Sequence, residues 1–136
     1  MIMKFRGKYL GLSNMYECEC VMEDGKVYKS SESVFQMLKC ENKEDMKKFI
    51  RLNGWEAKKL GRKVRLRSDW NEVKDDCMRI ALSSKFYGKA LKWLKGIDEY
   101  IVEDNHWRDE YWGRCNGKGL NRLGELLMEL RDVEDI

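Results

Sequence analysis

Apolar residues fall at every second position from Tyr16 to Met22 and at helical spacing through most of the remaining chain, and this switch of period restricts the protein to a mixed, helix-rich fold. Tyr16, Cys18, Cys20 and Met22 alternate with Glu17, Glu19 and Val21, the pattern of a half-buried strand. Asp24-Gly25 offers a two-residue hairpin turn, because glycine accepts positive φ and aspartate tolerates it, and Lys26 to Tyr28 supply the returning strand. Ser30 or Ser31 then caps a short helix marked by Val34, Phe35, Met37 and Leu38. Asn42 caps a second, striped by Met46, Phe49 and Ile50, and a third covers Trp55 to Leu60. Asp69 and Glu72 resemble a capping box ahead of the strongest stripe, Trp70, Val73, Cys77, Ile80, Ala81 and Ser84. Tyr100 to Val102 suits a short strand, and Leu120, Leu123, Leu127 and Leu130 a last helix. The pattern predicts an α+β, mainly helical fold with a small N-terminal β-hairpin.

No proline, repeat or low-complexity segment marks a linker, and 136 residues suit one domain, so residues 1–136 are expected to form a single compact unit. With 43% hydrophobic and 38% charged residues the chain has material for a core inside a charged shell, which excludes intrinsic disorder. No apolar run reaches the roughly 18 residues of a membrane span. Lys4 and Arg6 break the opening Met1-Ile2-Met3, so a cytoplasmic protein without membrane contact is expected. A net charge of +3 excludes a protein that coats polyanions, leaving only local nucleic-acid contact. The basic run from Lys58 to Arg67 reads either as a solvated helix face or as an anion-binding edge. Five cysteines without a CxxC pair, beside one histidine, argue against structural zinc, and neither metal nor cofactor is expected. Cys18 and Cys20 share one side of their strand as small buried residues, and free thiols fit a reducing compartment.

Three polar and aromatic clusters remain that a core does not explain: Leu12-Ser13-Asn14; Ser31-Glu32, entering the helix that carries Phe35 and Gln36; and the stretch Asp109, Tyr111, Trp112, Gly113, Gly117, Gly119, Asn121. In the first turn of a helix Glu32 is either a solvent-exposed carboxylate favoured by the helix dipole or a site group. Asp109 is either a turn-former or a site group. Trp107, Tyr111 and Trp112 gather aromatic area in a loop-like setting, which suits closure on a flat ligand. The glycines at 117 and 119 leave backbone amides able to approach an anion at the start of the last helix, or serve only as a flexible entry.

In order and spacing, the segments FRGKYLGLSNMY, DGKVYKSSESVFQMLK, LGRKVRLRSDWNEVKDDCMRIALSSKF and DEYWGRCNGKGLNRLGELLMELR resemble the NADAR family, also called YbiA-like, over nearly the whole chain. The resemblance implies a compact, mainly helical hydrolase with N-glycosidase activity. It implies two substrate classes: ADP-ribose on guanine, in DNA, RNA or nucleotides, and phosphoribosylamino-pyrimidine intermediates of riboflavin synthesis. By position it points to Glu32, Trp70, Lys74, Asp109, Trp112 and Asn121. Ser33 stands where many relatives have histidine, and Arg114-Cys115 where relatives often continue Asp-Gly.

Cleaving an N-glycosidic bond builds positive charge on the anomeric carbon and negative charge on the departing base, so a carboxylate is needed near the sugar and a proton donor near the base. Glu32 is assigned to water activation or oxocarbenium stabilisation, and Asp109 to orienting the sugar or exchanging a proton with the leaving group, across one crevice shaped for a nucleoside. Trp70 or Trp112 stacks the base; Trp70 has an equal claim as core. A second route has Lys74 intercept a ring-opened imine as a Schiff base. Arg6, Arg62 or Arg65, each equally readable as a solvated charge, is a candidate for phosphate, and Ser13, Asn14, Phe35, Gln36, Tyr111, Gly113, Gly119 and Asn121 complete the expected substrate-binding set. The rival readings are a module that sequesters an ADP-ribose-like nucleotide without cleaving it, and a nucleic-acid-binding domain using the basic run.

Overall fold

The structure, a computed structural model, describes residues 1–134. It is α+β and mainly helical, with six α-helices and four two-residue strands among the described residues. Contacts gather into two compact units, Asn14–Phe86 and Met1–Ser13 with Tyr87–Ile136. Among the described residues no helix is long and apolar enough to cross a membrane.

The first unit opens with the expected hairpin, in which β1 (Cys20–Val21) pairs antiparallel with β2 (Val27–Tyr28) in the register Cys20↔Tyr28 and Val21↔Val27. Its turn is longer than the two residues expected. The Met22 N–H donates to Lys26 O at 2.9 Å and the Gly25 N–H to Met22 O at 2.9 Å, so Glu23, Asp24 and Gly25 form a three-residue loop with Gly25 at φ 86. That is the turn-plus-bulge alternative to the primed two-residue turn, and it needs the left-handed residue only at its end.

Helix α1 (Ser31–Leu38) follows, capped by Ser30, whose Oγ accepts the Ser33 N–H at 3.0 Å. Every residue from Ser31 to Met37 is buried, so its polar side chains must find partners inside the protein. Ser33 does so by donating to the carbonyls of Phe49 (2.9 Å) and Leu52 (3.2 Å). These tie α1 to the 3-10 turn Lys47–Phe49 that succeeds α2 (Lys43–Met46). Helix α3 (Gly54–Gly61) carries a capping box between Asn53 and Glu56. Phe49, Met78 and Leu82 are sealed between these elements, and each such side chain contributes about 1.5–3 kcal/mol.

Helix α4 (Trp70–Lys85) forms where expected, without the expected capping box. The Arg67 guanidinium takes both carboxylate oxygens of Asp69, at 2.6 and 3.1 Å, and the charged fork outcompetes a backbone amide for that side chain. The buried stripe also lies about one position round from the expected one: Cys77, Met78, Ala81, Leu82, Ser84 and Lys85 face inward while Ile80 is exposed.

In the second unit the Ile2 N–H donates to Tyr100 O and the Val102 N–H to Ile2 O, both at 2.8 Å, a single parallel bridge in place of the expected strand at Tyr100 to Val102. Parallel strands β3 (Asp104–Asn105) and β4 (Arg114–Cys115) lie next to it in sequence. Helix α5 (Gly88–Lys95), absent from the expected elements although Leu91 and Leu94 stand at helical spacing, packs on α6 (Arg122–Asp132). Lys95 closes the C-terminus of α6 by donating to Arg131 O (3.1 Å) and Val133 O. Leu123, Leu126 and Leu127 are buried in α6, whereas Leu120 precedes the helix and is exposed.

Candidate active site

In the first unit the expected residues converge on α1. Glu32, in its first turn, is 8% exposed, so the solvated-carboxylate reading does not hold. Asn14 lies against this end of the helix: its main-chain O accepts the Glu32 N–H at 3.0 Å and its Oδ1 the Ser31 hydroxyl at 2.8 Å. One turn along α1, Gln36 places Nε2 3.4 Å from Glu32 Oε1. The Gln36 Oε1 is buried with no hydrogen-bond partner, a costly state for a polar atom. It rests on Gly61, where a Cβ would overlap it, so the glycine inside the basic run is what admits this amide.

Aromatic rings flank the carboxylate's helix. The Phe35 ring lies 5.2 Å from that of Trp70 at a tilt of 54°, and Lys39 Nζ stands 5.8 Å from the Trp70 ring. Burial pulls the Lys39 ammonium below its ordinary range; the Glu32 carboxylate acts in the opposite direction, and the positive charges of Arg62 and Lys58 add to the lowering. Arg62 is thus near enough to be felt at this cluster, though exposed, and Trp70 is half-buried at the start of α4. Lys74 is half-buried one turn further on.

Sequence reasoning missed Lys39, and it missed Lys85 at the other end of α4. Lys85 is 4% exposed and its ammonium is pulled down to about 8, chiefly by burial, with the thiols of Cys18 and Cys20 opposing. The one available signal was its place beside Ser84 on the apolar stripe.

In the second unit Asp109 is built into a loop. Its Oδ1 accepts the N–H groups of Tyr111 (3.1 Å) and Trp112 (2.9 Å). Asn105, 7% exposed, brackets its main chain: Nδ2 donates to Asp109 O at 2.8 Å and Oδ1 accepts the Asp109 N–H at 3.1 Å. The turn-forming role of Asp109 is therefore real, and Asn105 is a positioning residue that the sequence did not single out. The Tyr111 and Trp112 rings meet edge to face at 4.8 Å. If the carboxyl serves only to hold this loop, Asp109→Asn, which keeps an acceptor oxygen, retains activity within about threefold while Asp109→Ala loses it. If it exchanges a proton, both variants lose about 100-fold or more in kcat. Parallel kinetics on the two variants decide.

The main-chain amides at the start of α6 and the residues Gly113, Gly119 and Asn121 are engaged in packing within the protein. The N–H groups of Asn121, Arg122 and Leu123 donate to the carbonyls of Gly113 (3.2 Å), Tyr111 (3.0 Å) and Trp112 (2.9 Å), so the start of α6 is already occupied by main chain and does not present amides to an anion. Gly113 sits where a Cβ would overlap the Glu103 carbonyl, and Gly119 where one would overlap Gly113 O; both are required for close main-chain packing. Asn121 is fully buried, with Oδ1 accepting the Glu103 N–H and Nδ2 donating to Ile101 O, each at 2.9 Å. Nor are residues 116–118 a flexible entry, since Asn116 and Gly117 turn the chain between paired Cys115 and Lys118. Ser13 ends the 3-10 turn Gly7–Leu12, and exposed Arg6 lines an open cavity of about 730 Å³ with Lys4, Asp104, Trp107 and Arg108.

The first helix of this mainly helical α+β chain carries the buried Glu32 carboxylate, the unpartnered Gln36 Oε1 and the Phe35 ring that meets Trp70. The chain belongs to the NADAR family: the NADAR domain model matches residues 3–133. It is 39% identical over 116 residues to N-glycosidase YbiA of Shigella sonnei, covering 80% of this chain and 72% of that protein. It is 43% identical over 83 residues to an N-glycosidase of Nostoc punctiforme, 57% of this chain and 53% of that one. The NMR structure of the Escherichia coli protein YbiA superposes with a TM-score of 0.83 at 34% identity, covering 97% of this chain and 83% of that one. The class is that of the N-glycosidases, hydrolases of N-glycosidic bonds.

Proposed function

We propose that this chain hydrolyses the bond between ribose and base in ADP-ribosylated guanine, carried by nucleic acid or by a nucleotide. The observation that carries the reading is the cluster on α1: a buried Glu32, an unsatisfied Gln36 Oε1 and the Phe35–Trp70 aromatic pair. In this proposal Glu32 takes the proton of the attacking water, or faces the positive anomeric carbon as the bond to the base lengthens. Gln36 Oε1 accepts a hydrogen bond from a ribose hydroxyl or a base amine. Trp70 holds the base by stacking, worth about 1–3 kcal/mol. Arg62 meets phosphate.

The test is a panel of ADP-ribosylated guanine in DNA, in RNA and as mononucleotide, set beside phosphoribosylamino-pyrimidines. Release of free ADP-ribose from the guanine substrates is the expected result. Turnover confined to the phosphoribosylamino-pyrimidines would transfer the same chemistry to the smaller substrate, and binding without turnover of any would identify a sequestering module.

A lysine route has one observation in its favour. In it either Lys74 or Lys85, whose ammonium burial pulls down to about 8, attacks a ring-opened imine. Attack expels the base amine and leaves a lysine imine, which water hydrolyses. Borohydride added during turnover reduces such an imine to a stable amine. An adduct mapped to Lys85 or Lys74 establishes the route, and its absence during active turnover leaves the carboxylate route.

A further inference from the structure

The strand that begins the hairpin carries chemistry the glycosidase reading does not use. Cys18 and Cys20 project from the same side of it, with their Sγ atoms 3.7 Å apart. The Cys18 N–H donates to Lys29 O at 2.9 Å and Cys20 pairs with Tyr28, so the ladder holds both residues in extended geometry. Cys20 is fully buried, Cys18 is half-buried, and Lys85 from α4 acts electrostatically on both.

We propose that Cys18 and Cys20 form an oxidisable dithiol, in which a hydroperoxide attacks at Cys18 and Cys20 resolves the product to an intramolecular disulfide. The Cys18 thiolate attacks the terminal oxygen of ROOH; the S–O bond forms as the O–O bond breaks, giving a sulfenic acid, and the departing alkoxide takes a proton from solvent to leave as ROH. The Cys20 sulfur then attacks the sulfenic sulfur; the S–S bond forms and water departs, made from the sulfenic hydroxyl and the Cys20 proton. The two sulfurs need only close from 3.7 Å to the roughly 2 Å of a disulfide.

The division of labour follows from the surroundings. A hydrogen bond with Cys20, aided by the Lys85 charge and opposed by burial, brings the Cys18 thiol down to about 7, while the same hydrogen bond and burial push Cys20 up. Cys18 is thus the accessible nucleophile and Cys20 the protonated resolving partner. Burial pushes Cys40 to about 11 and also raises Cys77, so both are poor competitors. The proposal is independent of the substrate assignment.

The test treats the full chain with hydrogen peroxide at pH 7, blocks remaining thiols under denaturing conditions and maps the cysteines by mass spectrometry. The expected product is a Cys18–Cys20 disulfide, absent in Cys18→Ser. In Cys20→Ser, Cys18 is expected to accumulate as a sulfenic acid trapped by dimedone. Before oxidation Cys18 should alkylate about 10-fold faster than Cys115, a difference that Lys85→Met reduces. If that variant does not fold, the two serine variants decide alone. Oxidation that pairs other cysteines, or leaves Cys18 and Cys20 reduced while Cys115 reacts, would overturn the proposal.

Discussion

Replacing Glu32 with glutamine is expected to lower kcat on the cleaved ribosyl substrate by about 100- to 10,000-fold while leaving substrate affinity within a few-fold, the usual signature of a lost proton acceptor or charge stabiliser. The substitution is nearly isosteric. The Ser30 cap, the Asn14 contacts to the Glu32 N–H and the Ser31 hydroxyl, and an oxygen facing Gln36 all survive it. A thermal midpoint close to wild type would confirm that the fold is intact, and calorimetric titration with substrate separates binding from turnover. If Glu32→Gln turns over at the wild-type rate, Glu32 is a buried structural carboxylate and the catalytic assignment fails.

Asn121→Ala should cost about 3–5 kcal/mol of stability, because it strips partners from two buried main-chain groups at about 1–3 kcal/mol each and places alanine in a left-handed conformation. The wild-type residue holds φ 53, receives the Glu103 N–H and donates to Ile101 O. Asn121→Asp keeps the acceptor but sets a buried carboxylate oxygen against Ile101 O, so its denaturation midpoint should fall at least as far as that of alanine. A variant of unchanged stability and raised KM would restore Asn121 as a ligand contact.

Most of the helices could be read from spacing, because their signals are local: Ser30 and Asn42 cap as their residue types suggest, and Met46 to Ile50 stripe one face. Where a distant or stronger partner competed, local reading failed. Asp69 was expected to cap α4 and instead holds Arg67. The glycines at 113 and 119 suggested room for a ligand and instead admit main chain. Helix α5 has no side-chain cap to announce its start, although Ala90, Leu91, Leu94 and Ile97 stand at helical spacing.

The same distinction runs through the site. Residue type and order alone determined that Glu32 enters a helix carrying Phe35 and Gln36, and that Trp70 opens a later one, since caps and apolar period act over a few residues. Only the tertiary structure decided that Glu32 is buried, that Gly61 makes room for an unpartnered Gln36 Oε1, that Lys39 reaches the Trp70 ring and that Lys85 is enclosed beside two thiols. Burial and electrostatic environment are sums over neighbours brought together from far along the chain, and no local pattern encodes those sums.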